Sequence, residues 1–140
     1  MPAIDPASVP TQSFEWGSIK WLVSEATNPE AGVTFGQVIM QPGEGHGRHN
    51  HPGAAEILFV VAGTGEQMVD DDEPFEVGPG DSIYIAPDVF HSTQNTGWTP
   101  MHVLAIYSPA GPENGLAELP DFRELAPGTP PVFRRAQAAE

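Results

Sequence analysis

Residues Gly43–Gly65 read GEGHGRHNHPGAAEILFVVAGTG. Three of the chain's five histidines, His46, His49 and His51, fall within this stretch, and Glu56 follows five residues after the last of them. On an extended strand alternate side chains share a face. The His49 and His51 imidazoles therefore point the same way, with Asn50 between them pointing the other. The turn Pro52-Gly53-Ala54-Ala55 reverses the chain, and a hairpin can return the Glu56 carboxylate beside the two rings. Two neutral imidazoles and one carboxylate suit a divalent transition metal such as Fe, Mn, Co, Ni or Zn. A fourth ligand must come from elsewhere. His91, in DVFHSTQN, opens a strand-forming run that could lie alongside. Glu56 also heads the apolar run ILFVV, where a carboxylate is costly unless paired or bound to a cation.

Around this stretch the chain is heavily punctuated. Sixteen prolines and 15 glycines leave no long uninterrupted helical window. Between the breaks lie short runs of β-branched and aromatic residues, predicting strands at Phe14–Val23, Val33–Gln41, Glu56–Ala62, Gly65–Asp70, Pro74–Val77, Ser82–Ala86, His91–Asn95 and Met101–Ser108. Short strands separated by turns indicate an all-β sandwich or barrel. Asp70-Asp71-Asp72-Glu73-Pro74 reads as a charged hairpin tip, since the glycine and spaced ligands of a calcium loop are missing. The 140 residues suit one domain. It divides into an N-terminal arm (1–13), a barrel (14–108) and a tail (109–140), with one short helix at Leu119–Leu125 and a loose or weakly docked end at Arg134–Glu140.

Charge narrows the partners. Nineteen acids face five bases, a formal charge of −14. A field of that sign repels nucleic acid and anionic membrane. The absence of cysteine removes disulfides, thiolate metal sites and a cysteine nucleophile, and fits a reducing compartment. No apolar run approaches the roughly 20 residues of a membrane span, and the N-terminus lacks the basic start and apolar core of a signal peptide. A cytoplasmic location is expected. Of the cations, Arg123, Arg134 and Arg135 lie in the tail, leaving Lys20 and Arg48 for the main body. Phosphate sites usually need Arg or Lys, so an unphosphorylated small molecule is the expected substrate.

The spacing of these residues resembles the cupin family. The first cupin motif is matched by Gly43, His49, His51, Glu56 and Gly63, and the second by Gly80, His91 and Asn95. Two turn positions depart from it. Ala86 stands where proline is usual, with Pro87 one place later, and Asp88 stands where a second glycine is usual. Asp tolerates left-handed dihedrals better than most residues, so the turn can survive. The resemblance implies a single-domain cupin, a small β-barrel of the double-stranded β-helix or jelly-roll type. It implies that His49, His51, Glu56 and His91 bind one divalent metal, and that two chains pair into a homodimer through their sheets.

Three functions from different classes are compatible with that ligand set. One is a Lewis-acid isomerase, epimerase or lyase acting on a sugar or hydroxy acid, which needs a general base near the metal. Glu56, Tyr84 and His102 are its candidates. The second is an Fe(II)-dependent dioxygenase acting on an aromatic or thiol substrate. The third is a non-catalytic ligand-sensing or binding module. Counting back from His49, simple alternation turns Arg48 and His46 outward, which a bulge would reverse. His102 faces outward, or into a subunit contact, if Met101, Val103, Ala105 and Tyr107 face the core. Leu58, Val60, Thr93 and Asn95 are expected inside, and Phe35, Gln37, Met68, Tyr84 and Phe90 are further candidates for the cavity wall. Trp16, Trp21 and Trp98 are expected in the core or an interface.

Overall fold

A computed structural model describes residues 3–132 of the chain. The alternation of apolar and polar residues becomes two antiparallel sheets enclosing one core. The strands are β1 (Thr11–Phe14), β2 (Gly17–Val23), β3 (Thr34–Met40), β4 (Gly45–His49), β5 (Ala55–Ala62), β6 (Gly65–Val69), β7 (Phe75–Val77), β8 (Ser82–Ile85), β9 (His91–Asn95), β10 (Met101–Ser108) and β11 (Arg123–Leu125). The larger sheet runs β11-β1-β2-β3-β10-β5-β8 and the smaller runs β4-β9-β6-β7. Inward residues of the larger sheet, among them Ile19, Val38, Leu58, Val60, Val103 and Ala105, form the core. Their neighbours on β5, Ile57, Phe59 and Val61, face outward and are exposed. This is the all-β barrel that the pattern predicts.

Two segments differ from the sequence reading. The single strand expected over Phe14–Val23 is a hairpin, in which Phe14 pairs with Gly17 across a turn at Glu15-Trp16. Gly17 allows this approach, because a Cβ there would collide with the Ile39 carbonyl of β3. The helix expected at Leu119–Leu125 is absent. The helical segment lies earlier, as a 3₁₀ helix over Pro112–Glu118, and Arg123–Leu125 instead pairs with β1. The reason is local. Pro120 and Pro127 leave too few residues between them for a stable helix, and tertiary contacts decide. The Asp121 carboxylate accepts the Glu15 N–H at 3.0 Å, and Phe122 packs edge-on against Phe14 with ring centroids 5.8 Å apart.

The 3₁₀ segment is tied down by a buried acid. Glu113 accepts from the Thr34 hydroxyl at 2.8 Å, the Gly111 N–H at 2.9 Å and the Glu25 N–H at 3.1 Å. Leu116 on the same segment packs into the barrel core. Arg134–Glu140, read as a loose end, lies outside the described residues. No helix among the described residues is long and apolar enough to cross a membrane.

Candidate metal centre

The four residues of the proposed ligand set come from different parts of the fold. His49 ends β4 and lies opposite His91, the first residue of β9. Glu56 stands near the start of β5 in the other sheet, with its side chain inward, opposite Tyr107 of β10. His51 lies just beyond β4, in the connection to β5. That connection is pinned by the turn before β9. Asp88 adopts φ of 71°, the left-handed conformation the sequence suggested for it. Its carboxylate accepts the Gly53 N–H at 3.0 Å, and its carbonyl accepts from the Asn50 amide at 3.1 Å. The departure from the motif therefore gains a side-chain tie that glycine could not supply.

One ligand atom from each of His49, His51, Glu56 and His91 lies within 4.8 Å of the other three. Backbone carbonyls fix two of the imidazoles. His49 Nδ1 is 2.7 Å from the Gly47 carbonyl and His91 Nδ1 is 3.0 Å from that of Val89. A carbonyl can only accept, so in both rings Nδ1 carries the proton and Nε2 keeps its lone pair. This is the second-sphere arrangement that orients metal-binding histidines. His51 Nε2 lies 2.9 Å and His91 Nε2 3.7 Å from Glu56 Oε2. All three atoms are buried, yet none has a partner with hydrogen-bond alignment. Buried polar atoms are nearly always satisfied, so three unsatisfied atoms meeting at one point fit a cation between them.

The electrostatics favour the metal-binding form at Glu56 and His49, whereas His91 must give up a proton that Glu56 helps it hold. Burial favours the protonated form of Glu56, but the His51 and His91 contacts outweigh it and lower its pKa to about 2. Burial, reinforced by His46 and His91, lowers His49 to about 3. Burial also favours neutral His91, but Glu56 overrides it and raises the pKa. Carboxylate and neutral imidazole are the forms that bind metal.

The cavity beside this cluster has a volume of about 40 Å³. By that measure a single water needs roughly 10–15 Å³, so the space admits a few heavy atoms. Its walls include Trp16, Ile19, Val38, Met40, Leu58 and Val103, and no Lys or Arg among the described residues lines it. Lys20 is spent on the Pro6 and Val9 carbonyls, at 2.8 and 3.1 Å. Arg48 lies over the Phe90 ring, 5.3 Å from its centroid, and donates to the Asp70 carbonyl. A second, wider groove of about 420 Å³ runs between the β4–β5 connection and the segment after β10, and His51 lines it.

Several other sequence expectations are corrected. His46, which simple alternation turned outward, lines the cavity. Between His46 and His49 the register shifts, three residues on β4 matching two on β9. This β-bulge turns both rings inward. His46 Nδ1 lies 3.1 Å from His49 Nδ1, and the His46 ring meets Trp16 edge-on at 5.2 Å. Burial lowers its pKa to about 4. The glycines flanking His46 were the available signal for a bulge.

Two candidate bases lie elsewhere. Tyr84 is 66% exposed on the outer face of β8, because Ile83 and Ile85 take the inward positions. His102 alternates with the buried Met101 and Val103, which places it on the outer side of β10, and its Nε2 is buried without a hydrogen-bond partner. Phe35, Gln37, Met68 and Phe90 also fall outside the cavity wall, whereas Leu58 and Thr93 line it. Val60 and Asn95 are buried elsewhere in the barrel, Asn95 holding the Met40 and Thr99 carbonyls. Trp16 and Trp21 are buried, but Trp98 is 97% exposed.

Tyr107, like Trp16, reaches the site. Its ring centroid is 4.6 Å from that of His51, and burial, helped by Glu56 and Glu113, raises its phenol pKa well above the usual value. Leu116 of the 3₁₀ segment closes part of the cavity wall. The tail's composition gave no sign of that contact.

A small antiparallel barrel enclosing a three-histidine, one-carboxylate cluster able to hold a metal defines a cupin-type protein. The sequence model of the cupin domain matches residues 36–107, and the chain belongs to that family. It is 30% identical to Protein SchB of Streptomyces halstedii over 111 residues, 79% of this chain and 80% of that protein. It is also 30% identical over 115 residues to a glucose-6-phosphate isomerase of Thermococcus litoralis, covering 72% of this chain and 60% of the isomerase. Among solved structures it is similar to a predicted oxalate decarboxylase from Thermotoga maritima. The TM-score is 0.66 at 22% identity, covering 77% of this chain and 99% of the other, a likeness of fold.

Proposed function

We propose that this chain is a metal-dependent cupin enzyme in which His49, His51, Glu56 and His91 hold one divalent transition metal, with Fe, Mn, Ni, Co and Zn as the candidates. Its reaction is an isomerisation, epimerisation or elimination on a small, oxygen-bearing, unphosphorylated molecule. The observation that carries this reading is the meeting of three buried, unsatisfied atoms, His51 Nε2, Glu56 Oε2 and His91 Nε2. Bound at that point, a divalent metal supplies Lewis-acid polarisation of a carbonyl or hydroxyl.

The chain's own groups supply the rest. Apolar walls exclude bulk water and strengthen each polar contact inside. The wide groove lined by His51 is the proposed approach of a substrate to the cluster. Tyr107 holds its phenolic proton in the cavity wall. The lack of Lys and Arg among the described residues of that wall disfavours phosphate, which sets this site apart from what the name of the isomerase relative would suggest.

Metal analysis of protein purified without added metal, followed by turnover assays in anaerobic buffer with Mn, Ni or Zn, tests the proposal. Metal-loaded protein that turns over sugars or hydroxy acids without oxygen supports it. The apolar cavity wall favours a second reading, an Fe(II)-dependent dioxygenase on an aromatic or thiol substrate. Oxygen uptake that requires ferrous iron would select it. Tight ligand binding without turnover would instead indicate a binding module. We further propose a homodimer formed through the outer face of the larger sheet, where Ile57, Phe59, Val61 and Tyr84 are exposed together on paired strands.

A further inference from the structure

The proposed reaction needs a polar group beside the metal that is not itself a ligand, and neither Tyr84 nor His102 reaches the cavity. His46 does. It lines the same cavity as His49, Glu56 and His91, but it stands outside the four-residue cluster. Its tautomer follows from its neighbours. The His49 Nδ1–H is directed to the Gly47 carbonyl at 2.7 Å. His46 Nδ1 lies 3.1 Å from that same His49 nitrogen. A second N–H there would oppose the first, so His46 Nδ1 is the bare acceptor and its proton sits on Nε2. Among the described residues, His46 Nε2 has no protein hydrogen-bond acceptor. The edge-on contact with Trp16 holds the ring in place.

We propose that His46 is a substrate-binding residue whose Nε2–H donates a hydrogen bond to an oxygen of the ligand held at the metal. The ligand class is a small molecule that chelates through adjacent oxygens, one of which accepts from His46. This rests on the metal-site reading above. The role also gives a reason for the β4 bulge, which costs ladder hydrogen bonds and turns the ring inward.

The test uses Co(II)-loaded protein and two probes read by the metal's visible absorption. Acetohydroxamate offers adjacent acceptor oxygens, whereas azide binds a metal without them. His46→Phe should keep the metal content and the azide affinity of the wild type. Its acetohydroxamate affinity should fall about 10-fold, the size of one hydrogen bond. His46→Gln, which keeps an N–H donor near the Nε2 position, should recover part of that loss. If His46→Phe does not fold, His46→Ala carries the same comparison. Unchanged acetohydroxamate affinity overturns the proposal, as does a parallel loss of metal or of azide binding. Wild-type protein that takes up no metal overturns the metal-site reading and this inference with it.

Discussion

His49 and His91 each spend one ring nitrogen on a backbone carbonyl, which leaves the other for the proposed metal. His49→Ala and His91→Ala should therefore each lower bound metal by at least about 10-fold while leaving a folded barrel, as measured by elemental analysis and circular dichroism. His46→Ala should lower it far less. Acid should weaken the metal-free protein for a related reason. His46 and His49 are held at about 4 and about 3, below the ordinary 6.5. Between pH 6.5 and those values the unfolded chain binds protons that the folded chain refuses, so stability falls with pH across that window. Glu56, lowered to about 2 from 4.5, adds a further loss below pH 4.5. His91 acts in the opposite sense, since its raised pKa favours the folded state at low pH and that contribution is lost as pH rises through its folded value. With two imidazoles set against one, the melting temperature of metal-free protein should fall from pH 7 to pH 4. A flat profile would contradict the burial of these rings.

At the scale of elements, the 3₁₀ segment Pro112–Glu118 is held by one carboxylate serving three donors. Glu113→Ala would leave the buried Thr34 hydroxyl and two backbone N–H groups to find new partners. It should destabilise the fold by about 2 kcal/mol, read from the denaturant midpoint. An unchanged midpoint would mean that water replaces the acid freely. The same element marks where sequence reading stopped. Strands such as Val33–Gln41 and Met101–Ser108 were legible because alternation is a local signal. His49, His51, Glu56 and His91 were legible because their spacing is carried within two short motifs. The fate of Leu119–Leu125 was not, because its pairing partner β1 lies over 100 residues away. The hairpin at Glu15-Trp16 was also hidden, since the close approach of Gly17 to Ile39 is a contact between strands. Tyr84 and Tyr107 show the same divide. Each lies in a β-forming run, and only the register of the finished sheet puts one outside and the other beside Glu56.

For the whole molecule, the outer face of the larger sheet presents Ile57, Phe59 and Val61 on one strand, with Tyr84 beside them. Phe59 is 40% exposed there. An apolar stripe of this kind on a chain of net charge −14 calls for cover by something other than an anionic polymer. The proposed homodimer should appear by sedimentation velocity at micromolar concentration. Phe59→Glu should shift it to monomer while metal content stays the same. A wild-type monomer at all concentrations would remove the dimer and leave the metal reading intact.

The additional residue in β4 has a consequence for how such a chain can change over generations. Deleting one position between His46 and His49 would restore plain pairing with β9 and swing the His46 imidazole to solvent. The four-donor cluster could survive that edit. A single codon gained or lost in this strand would then switch an auxiliary donor in or out of the chamber, without any exchange of one side chain for another.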